Sequence, residues 1–341
     1  MQPLRIINFN CPTFVILIVV LSLLGLSLGG MLYSRTQPVS PADHTTLLVT
    51  IDPGMTTQDI GALLYRQGLI KDMFTFRLFA KLHGLEKSLK AGEYALSKSM
   101  NLLSIIKRLS SGQTVYQQIT IPEGYTIDQI AELIGQRNLG NPDKFREAAR
   151  TTVPVLNETV NANMKYPVEG YAFPDTYHIT RGTTEAEILA MMLKHFEEQF
   201  TEEMRQRAQE MGLSVHEVIT LASLVEKEAL LPEERPIIAG VFLNRLTLGM
   251  PLQSCATIQY ILGYPKPELT IEDTKIPSPY NTYQNMGLPP GPIANPGLAA
   301  IKAVLYPANT KYLYFVADSQ GKHHFSTTYE EHLAMVRQVS K

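Results

Sequence analysis

The amino-acid sequence predicts an α+β protein carried on a membrane anchor. Three observations lead there: an uncharged run near the N-terminus, a strand–turn–helix unit that occurs twice at an offset of 70 residues, and long helical periodicity between proline- and glycine-rich loops in the second half. With 341 residues, 45% hydrophobic and 18% charged, the chain has enough apolar mass for more than one core. Its 30 basic and 32 acidic residues give a formal charge of −2, so no basic field points to nucleic acid, and the expected partner is uncharged or only locally charged.

The first element is Phe14 to Tyr33, FVILIVVLSLLGLSLGGMLY, twenty residues without a charge. A helix rising about 1.5 Å per residue crosses a hydrocarbon core of about 30 Å with that length. The run exceeds the apolar region of about 7–15 residues found in cleaved signal peptides, and no A-x-A-like site follows, so an uncleaved transmembrane helix is predicted. Arg5 and the α-amino group before it, against Arg35 after it, place the tail of residues 1–13 in the cytosol. Cys11 and Cys255 are the only cysteines; with a membrane between them they form no intramolecular disulfide, and two thiols build no cysteine-rich zinc site.

Residues 34–46, SRTQPVSPADHTT, are polar with two prolines and read as an extended linker. Then VTIDPGMTTQDIGALLYRQGL (Val49 to Leu69) aligns without gaps on ITIPEGYTIDQIAELIGQRNL (Ile119 to Leu139). The matched positions have physical reasons. Thr50/Thr120 and Ile51/Ile121 end a strand, Gly54/Gly124 turn the chain, and Thr56/Thr126 cap a helix with Asp59 or Gln129 at the capping-box position. Ile60/Ile130 and Leu63/Leu133 form the apolar stripe. Two copies suggest paired small α+β modules over residues 47–140, since a solenoid needs three or more. Between them Phe74 to Leu85 and Leu102 to Leu109 read as helices and Gly92 to Leu96 as a short strand.

Residues 141–341 are expected to form a second, mainly helical domain. A loop-rich stretch ends in VEGYAFPDTYHI (Val168 to Ile179), and helical patterns run from Thr184 to Gly249. Thereafter SPYNTY (Ser278 to Tyr283) and GLPPGPIANPG (Gly287 to Gly297) precede a helix near Leu298 to Val304 and a strand at Tyr312 to Val316. Loops so dense in proline and glycine between ordered elements are more often site walls than linkers.

The chemistry concentrates in the helix VHEVITLASLVEKEA, Val215 to Ala229, which opens with a Ser214/Glu217 capping box. Its apolar residues cover about half of the wheel, with Glu226 and Glu228 at opposite edges of the arc. Either is a candidate for a desolvated carboxyl with the raised pKa that a general acid requires, and the wheel does not choose between them. Downstream, Asn244 and Arg245 fall on a helix and Gln253, Ser254 and Thr257 in the turn after it, followed by Tyr280, Asn281, Thr282 and Tyr283. Such amide, hydroxyl and aromatic groups suit a sugar, and Gln253, Asn281 and Tyr283 are the candidates to hold one. His323 and His324 lie beside Asp318, but adjacent residues of a strand point to opposite faces, so no metal site is expected. No G-x-S-x-G elbow surrounds Ser223, no phosphate-binding glycine loop occurs, and no cofactor is expected. The sequon at Asn157 carries no weight without a secretory context.

The segments ASLVEKEA, GVFLNRLTLGMPLQS, SPYNTY, GLPPGPIANPG and YLYFVAD, in this order after EGYAFPDTY, resemble the MltG (YceG-like) family of endolytic murein transglycosylases over nearly the whole chain. The resemblance implies LysM-like modules after the anchor and a lysozyme-related catalytic domain. It implies a lyase that cuts the β-1,4 bond between N-acetylmuramic acid and N-acetylglucosamine inside peptidoglycan strands, leaves 1,6-anhydro ends and terminates strand elongation. The second glutamate of the E-K-E triplet is the catalytic one in that family, which carries over to Glu228 and leaves Glu226 in support. The implied setting is a single-pass inner-membrane protein with its catalytic domain in the periplasm. Its implied partners are peptidoglycan glycan strands and, as candidates, peptidoglycan synthases. Two positions depart from the pattern. Ala229 stands where many members have Ser or Thr, so a hydroxyl supporting the carboxylate has to come from elsewhere, and Cys255-Ala256 replaces Asp-Pro after Leu252-Gln253-Ser254. Two rival readings are a non-catalytic wall-binding scaffold for synthases and a lysozyme-type hydrolase.

Overall fold

The uncharged run folds into one helix, α1 (Cys11–Thr36), longer at both ends than the apolar stretch itself. Its apolar side chains, among them Leu21, Leu24, Leu26 and Leu28, are exposed, and the helix is long and apolar enough to cross a membrane. The structure, a computed structural model, describes residues 11–156, 161–266 and 268–339. The expected cytosolic tail before residue 11 and the sequon at Asn157 lie outside the described residues.

The chain divides into two units, one running to Gln117 and including Thr180–Gly182, the other comprising Gln118–Ile179 and the chain from Thr183 onward. In the first, β1 (Thr46–Ile51) leads through Gly54, at φ +86°, into α2 (Thr57–Arg66). Glycine holds that left-handed turn without the clash a Cβ brings. Thr56 and Asp59 close the capping box that their spacing predicts. Then α3 (Met73–Leu82), β2 (Gly92–Ser97) and α4 (Leu102–Ser111) complete the unit. β2 pairs antiparallel with β1, Val49 opposite Tyr94. Only alternate residues of β1 are buried, Val49 and Ile51, and they meet Ile60, Leu64, Phe76 and Ile105 in the core.

The larger unit takes in most of β3 (Tyr116–Thr120), then α5 (Ile127–Gln136), α6 (Pro142–Thr151) and β4 (Thr176–Thr180), which pairs with β3. The helices α7 (Glu185–Gln199), α8 (Glu202–Glu210), α9 (Val215–Glu228), α10 (Arg235–Thr247) and α11 (Cys255–Leu262) follow. The chain ends with α12 (Leu298–Leu305), the hairpin β5 (Tyr314–Ala317) and β6 (His323–Ser326), and α13 (Tyr329–Val339).

Two expectations are corrected. The second repeat copy, β3 to α5, has the predicted Thr126/Gln129 capping box and a glycine turn at Gly124 with φ +74°, yet it does not share a core with the first copy. Ile127, Ile130 and Ile134 are buried with Phe145 of α6 and with Tyr166 and Tyr171, so the chain divides after Gln117 rather than at Gly140. A stripe specifies that a face is buried, not what buries it. The stretch after Gly140 is also not all loop: Asn141 caps α6, Pro142 occupies its first turn, and Phe145 and Ala149 face inward at i,i+4.

The helix α9 lies at the centre of this unit. Val218, Ile219, Leu221, Ala222, Leu224 and Val225 are all at most 1% exposed, and Thr220 and Ser223 on the remaining face are buried as well, so it is enclosed well beyond the half-wheel its pattern indicates. Ser223 uses its hydroxyl to accept the Ile293 N–H, which fastens the PIANPG loop to the helix.

Candidate active site

Glu228 is the last residue of α9, and the chain leaves the helix at Ala229 in an extended conformation. Its carboxylate meets the start of α11. Ser254 stands at the N-cap of α11 but makes no capping bond; its hydroxyl donates instead to Glu228 Oε1 at 2.5 Å. The backbone N–H of Ala256 donates to the same carboxylate. Glu228 thus occupies the place of a capping side chain, where free N–H groups and the helix dipole favour an anion. Burial acts the other way and prevails, holding the carboxyl above the ordinary carboxylate range, while Ser254, Ala256 and the nearby His323 partly offset it. The residue keeps partial solvent access. The hydroxyl that Ala229 lacks comes from Ser254.

A rigid frame holds Ser254 there. Gln253 adopts φ +49°, unusual for a residue with a side chain, and its N–H donates to Thr282 O at 3.1 Å. The Ser254 N–H donates to Thr282 Oγ1 at 3.0 Å, and Thr257 Oγ1 donates to Ser254 O at 2.7 Å. Thr257 lies within α11, not in a turn, because the segment from Cys255 is helical.

The three sugar-binding candidates separate. Asn281 is 0% exposed; its Nδ2 donates to Thr274 O and Ile276 O at 3.0 and 2.8 Å, and its Oδ1 accepts the Tyr283 N–H at 2.9 Å. With both ends of the amide satisfied inside the loop, Asn281 is a framework residue, and the expectation that it holds a sugar is corrected. Tyr283 is half-buried, with its hydroxyl 3.1 Å from Cys255 Sγ; burial and the neighbouring Glu228 keep that phenol protonated. Gln253 is exposed, its Oε1 3.4 Å from Arg245. Asn244 and Arg245 serve the frame: Asn244 donates to Thr310 O and Tyr312 O, and Arg245 to Leu313 O, Pro251 O and Leu252 O.

Glu226 faces elsewhere. Its side chain is 7% exposed, Oε1 lies 3.3 Å from an Arg235 nitrogen, and Oε2 accepts the Gly297 N–H at 3.1 Å, which joins α9 to the start of α12. Glu123 shares the same arginine at 3.8 Å; burial and the charge of Glu226 raise its carboxyl. A Cβ at Gly297 would overlap the Glu123 carboxylate, so a larger residue there would require that side chain to move. The two glutamates that the wheel left equivalent therefore differ in surroundings: Glu226 is ion-paired, and Glu228 is not.

Two residues that the sequence did not single out organise the walls. Glu169 of the EGYAF segment is 1% exposed, and burial lifts its carboxyl to about 8. It accepts from Ile127 N, Asn295 Nδ2 and Tyr260 Oη at 3.0, 3.2 and 3.2 Å. Asn295, 0% exposed, accepts the Ala172 N–H and donates to Tyr125 O. Both sit inside segments whose composition marks loops, where no periodicity distinguishes a buried polar residue. The paired histidines each hold a carboxylate, His323 with Glu234 at 2.7 Å and His324 with Asp318 at 3.0 Å. Among the described residues, no group of three or more His, Cys, Asp or Glu is arranged to hold a metal ion.

Fold and site together define a mixed α+β protein in which one desolvated, hydroxyl-bonded carboxyl at a helix N-terminus stands among tyrosine and amide groups. The chain belongs to the YceG-like family, whose model matches residues 49–338. It is 38% identical over 322 residues to the endolytic murein transglycosylase of Bacillus subtilis strain 168, covering 89% of this chain and 88% of that one. It is 36% identical over 324 residues to the endolytic murein transglycosylase of Streptococcus pneumoniae D39, and spans 58% of that longer protein. The crystal structure of a yceG-like protein from Listeria monocytogenes, 36% identical, superposes with a TM-score of 0.60 over 85% of this chain and 99% of that one.

Proposed function

We propose that the protein is an endolytic peptidoglycan lytic transglycosylase in which Glu228 acts as both acid and base. The observation that carries this reading is the state of that carboxyl: burial favours the neutral, proton-bearing form, while Ser254 and the Ala256 N–H stand ready for the anion it becomes. Glu228 gives its proton to the glycosidic oxygen as the bond to the muramyl C1 breaks. The resulting carboxylate then takes the proton of the muramyl C6 hydroxyl as that oxygen closes on C1. One carboxyl is restored, one 1,6-anhydro end is formed, and no water is consumed. Hydrolases of the retaining or inverting kind need a second carboxylate at about 5–5.5 or 6.5–9.5 Å, whereas an internal hydroxyl nucleophile needs none. Gln253 and Tyr283, beside this carboxyl, hold the sugar.

In the first unit, Met55, Thr56, Thr57, Arg77 and Lys87 line an open groove at the capped start of α2. We read that unit as LysM-like, with this groove touching glycan, and the domain around α9 as lysozyme-related. The helix α1 anchors the chain in the inner membrane with everything after it on the periplasmic side, where strand cutting beside peptidoglycan synthases would terminate nascent strands. Mass spectrometry of muropeptides released from purified sacculi tests the reaction. Products lighter by one water than those of a lysozyme, lost in Glu228→Gln, are expected; full-mass products would make the protein a hydrolase, and no products from the wild-type chain would make it a scaffold.

A further inference from the structure

Beside Glu228 the larger unit holds a cavity of about 180 Å³ whose walls include Lys227, Ala256, Gln129, Gln259, Tyr260 and Tyr264. Ala256 links it to the carboxyl: the residue lines the cavity, and its N–H donates to the Glu228 carboxylate. Its chemistry differs from that of the Gln253 and Tyr283 side. Two aromatic rings and two amides are joined by a cation, and Lys227 is exposed. Among the described residues its ammonium pairs with no carboxylate; it reaches only Gly124 O, at 3.4 Å, beyond the 2.7–2.9 Å or so that a charged donor prefers. The one acid in the wall, Asp128, is already engaged by Lys165, Tyr166 and Arg146 at 2.5, 2.7 and 3.2 Å, and these partners lower its pKa. The charge left to greet a ligand is therefore positive.

The sugar rings themselves offer nothing to pair with a cation. The muramyl residue whose C1 is attacked does, since it carries on its O3 lactyl group a short peptide with free carboxylates, two ring atoms from the reacting carbon. We propose that this cavity receives the first residues of that acidic peptide, with Lys227 paired to a peptide carboxylate and Tyr264, half exposed at the wall, packed along its backbone. The enzyme then selects strands that still bear peptides over stripped strands. This inference rests on the transglycosylase reading and extends it to the choice of substrate.

The test uses the full chain in detergent on two substrates, peptide-bearing glycan strands and the same strands stripped by an amidase, with kcat and KM measured for each. The wild-type chain is expected to prefer peptide-bearing strands. Lys227→Gln should raise KM on them about tenfold with kcat retained and change KM much less on stripped strands, which keep only the lactyl carboxylate at O3. Lys227→Arg should restore most of the loss, and peptide-bearing strands whose carboxylates have been amidated should behave toward the wild-type chain as the natural ones do toward Lys227→Gln. Equal losses on both substrates would assign the cavity to sugar and overturn the inference, as would an unchanged KM. Cleavage of both substrates without preference would overturn the inference alone; cleavage of neither would overturn the transglycosylase reading and this inference with it.

Discussion

Glu226 and Glu228 are separated by one lysine and face different neighbours, so the same substitution should act through different physics at each. Gln keeps the size of Glu but has no transferable proton. Glu228→Gln is expected to lower strand cleavage by about 10²–10⁴ with the melting temperature retained, since acid–base catalysis is removed and no cavity opens. Glu226→Gln instead loses the Arg235 pair inside a nearly closed site, so its expected effect is on stability, about 1–3 kcal/mol by denaturant titration, with a smaller change in cleavage. If anhydro products persist in the first variant and vanish in the second, the roles are reversed. Ser254 makes a further prediction through the sign of its effect. Its hydrogen bond lowers the Glu228 pKa against burial, so Ser254→Ala should raise that pKa further. The high-pH limb of kcat/KM, where the acid loses its proton, then moves to higher pH, while the plateau rate falls because the carboxylate formed in the first step has lost a donor. A limb that stays in place would show that Ser254 does not govern the acid.

At the scale of elements, the loop from Ser278 to Tyr283 sets where Ser254 stands, and Asn281 is its pin. Asn281→Ala removes three partly buried hydrogen bonds at once and is expected to cost about 2–4 kcal/mol of stability along with activity, whereas Gln253→Ala should raise KM and leave stability unchanged. Equal melting curves for the two variants would return Asn281 to the ligand side. The same loop shows what a sequence can and cannot tell. An amide in a Pro-rich loop looks alike whether it binds sugar or a neighbouring carbonyl, because the two donor patterns are chemically identical. The capping boxes at Thr56, Thr126 and Ser214 were legible, since their signal is local. The helix α11 was not, because its eight residues make barely two turns, too few to show a period. The division after Gln117 has no local mark, because the repeat shows two matching stripes while the partner of the second, Phe145 with Tyr166 and Tyr171, is supplied by chain beyond the repeat. Of the candidate site, the helix bearing both glutamates was visible from its pattern; the choice of Glu228 rested on family resemblance, and the hydroxyl from Ser254 arrives from 26 residues away with no local mark.

Across the larger unit, Glu169 ties the EGYAF segment to the start of α5, to the PIANPG loop and to α11 through Tyr260, so its protonation reports on the unit as a whole. Burial places its folded pKa at about 8, against 4.5 for an unperturbed glutamate. A carboxyl whose folded pKa is raised binds its proton more tightly in the native state than in the unfolded chain. Between about 4.5 and about 8 the unfolded state has lost the proton and the native state has kept it. The stabilisation that the neutral carboxyl contributes is thus complete below pH 4.5 or so, declines by at most about 1.4 kcal/mol per unit through this window, and is gone above it. Glu169→Gln holds the neutral form at every pH with the same reach. Thermal unfolding of the two proteins followed from pH 5 to pH 9 should therefore diverge, the wild-type chain losing stability relative to the variant as pH rises and the gap levelling off past pH 8. Curves that run parallel would mean that Glu169 is ionised in the folded protein, and that the three segments are held together by a buried anion instead of a buried acid.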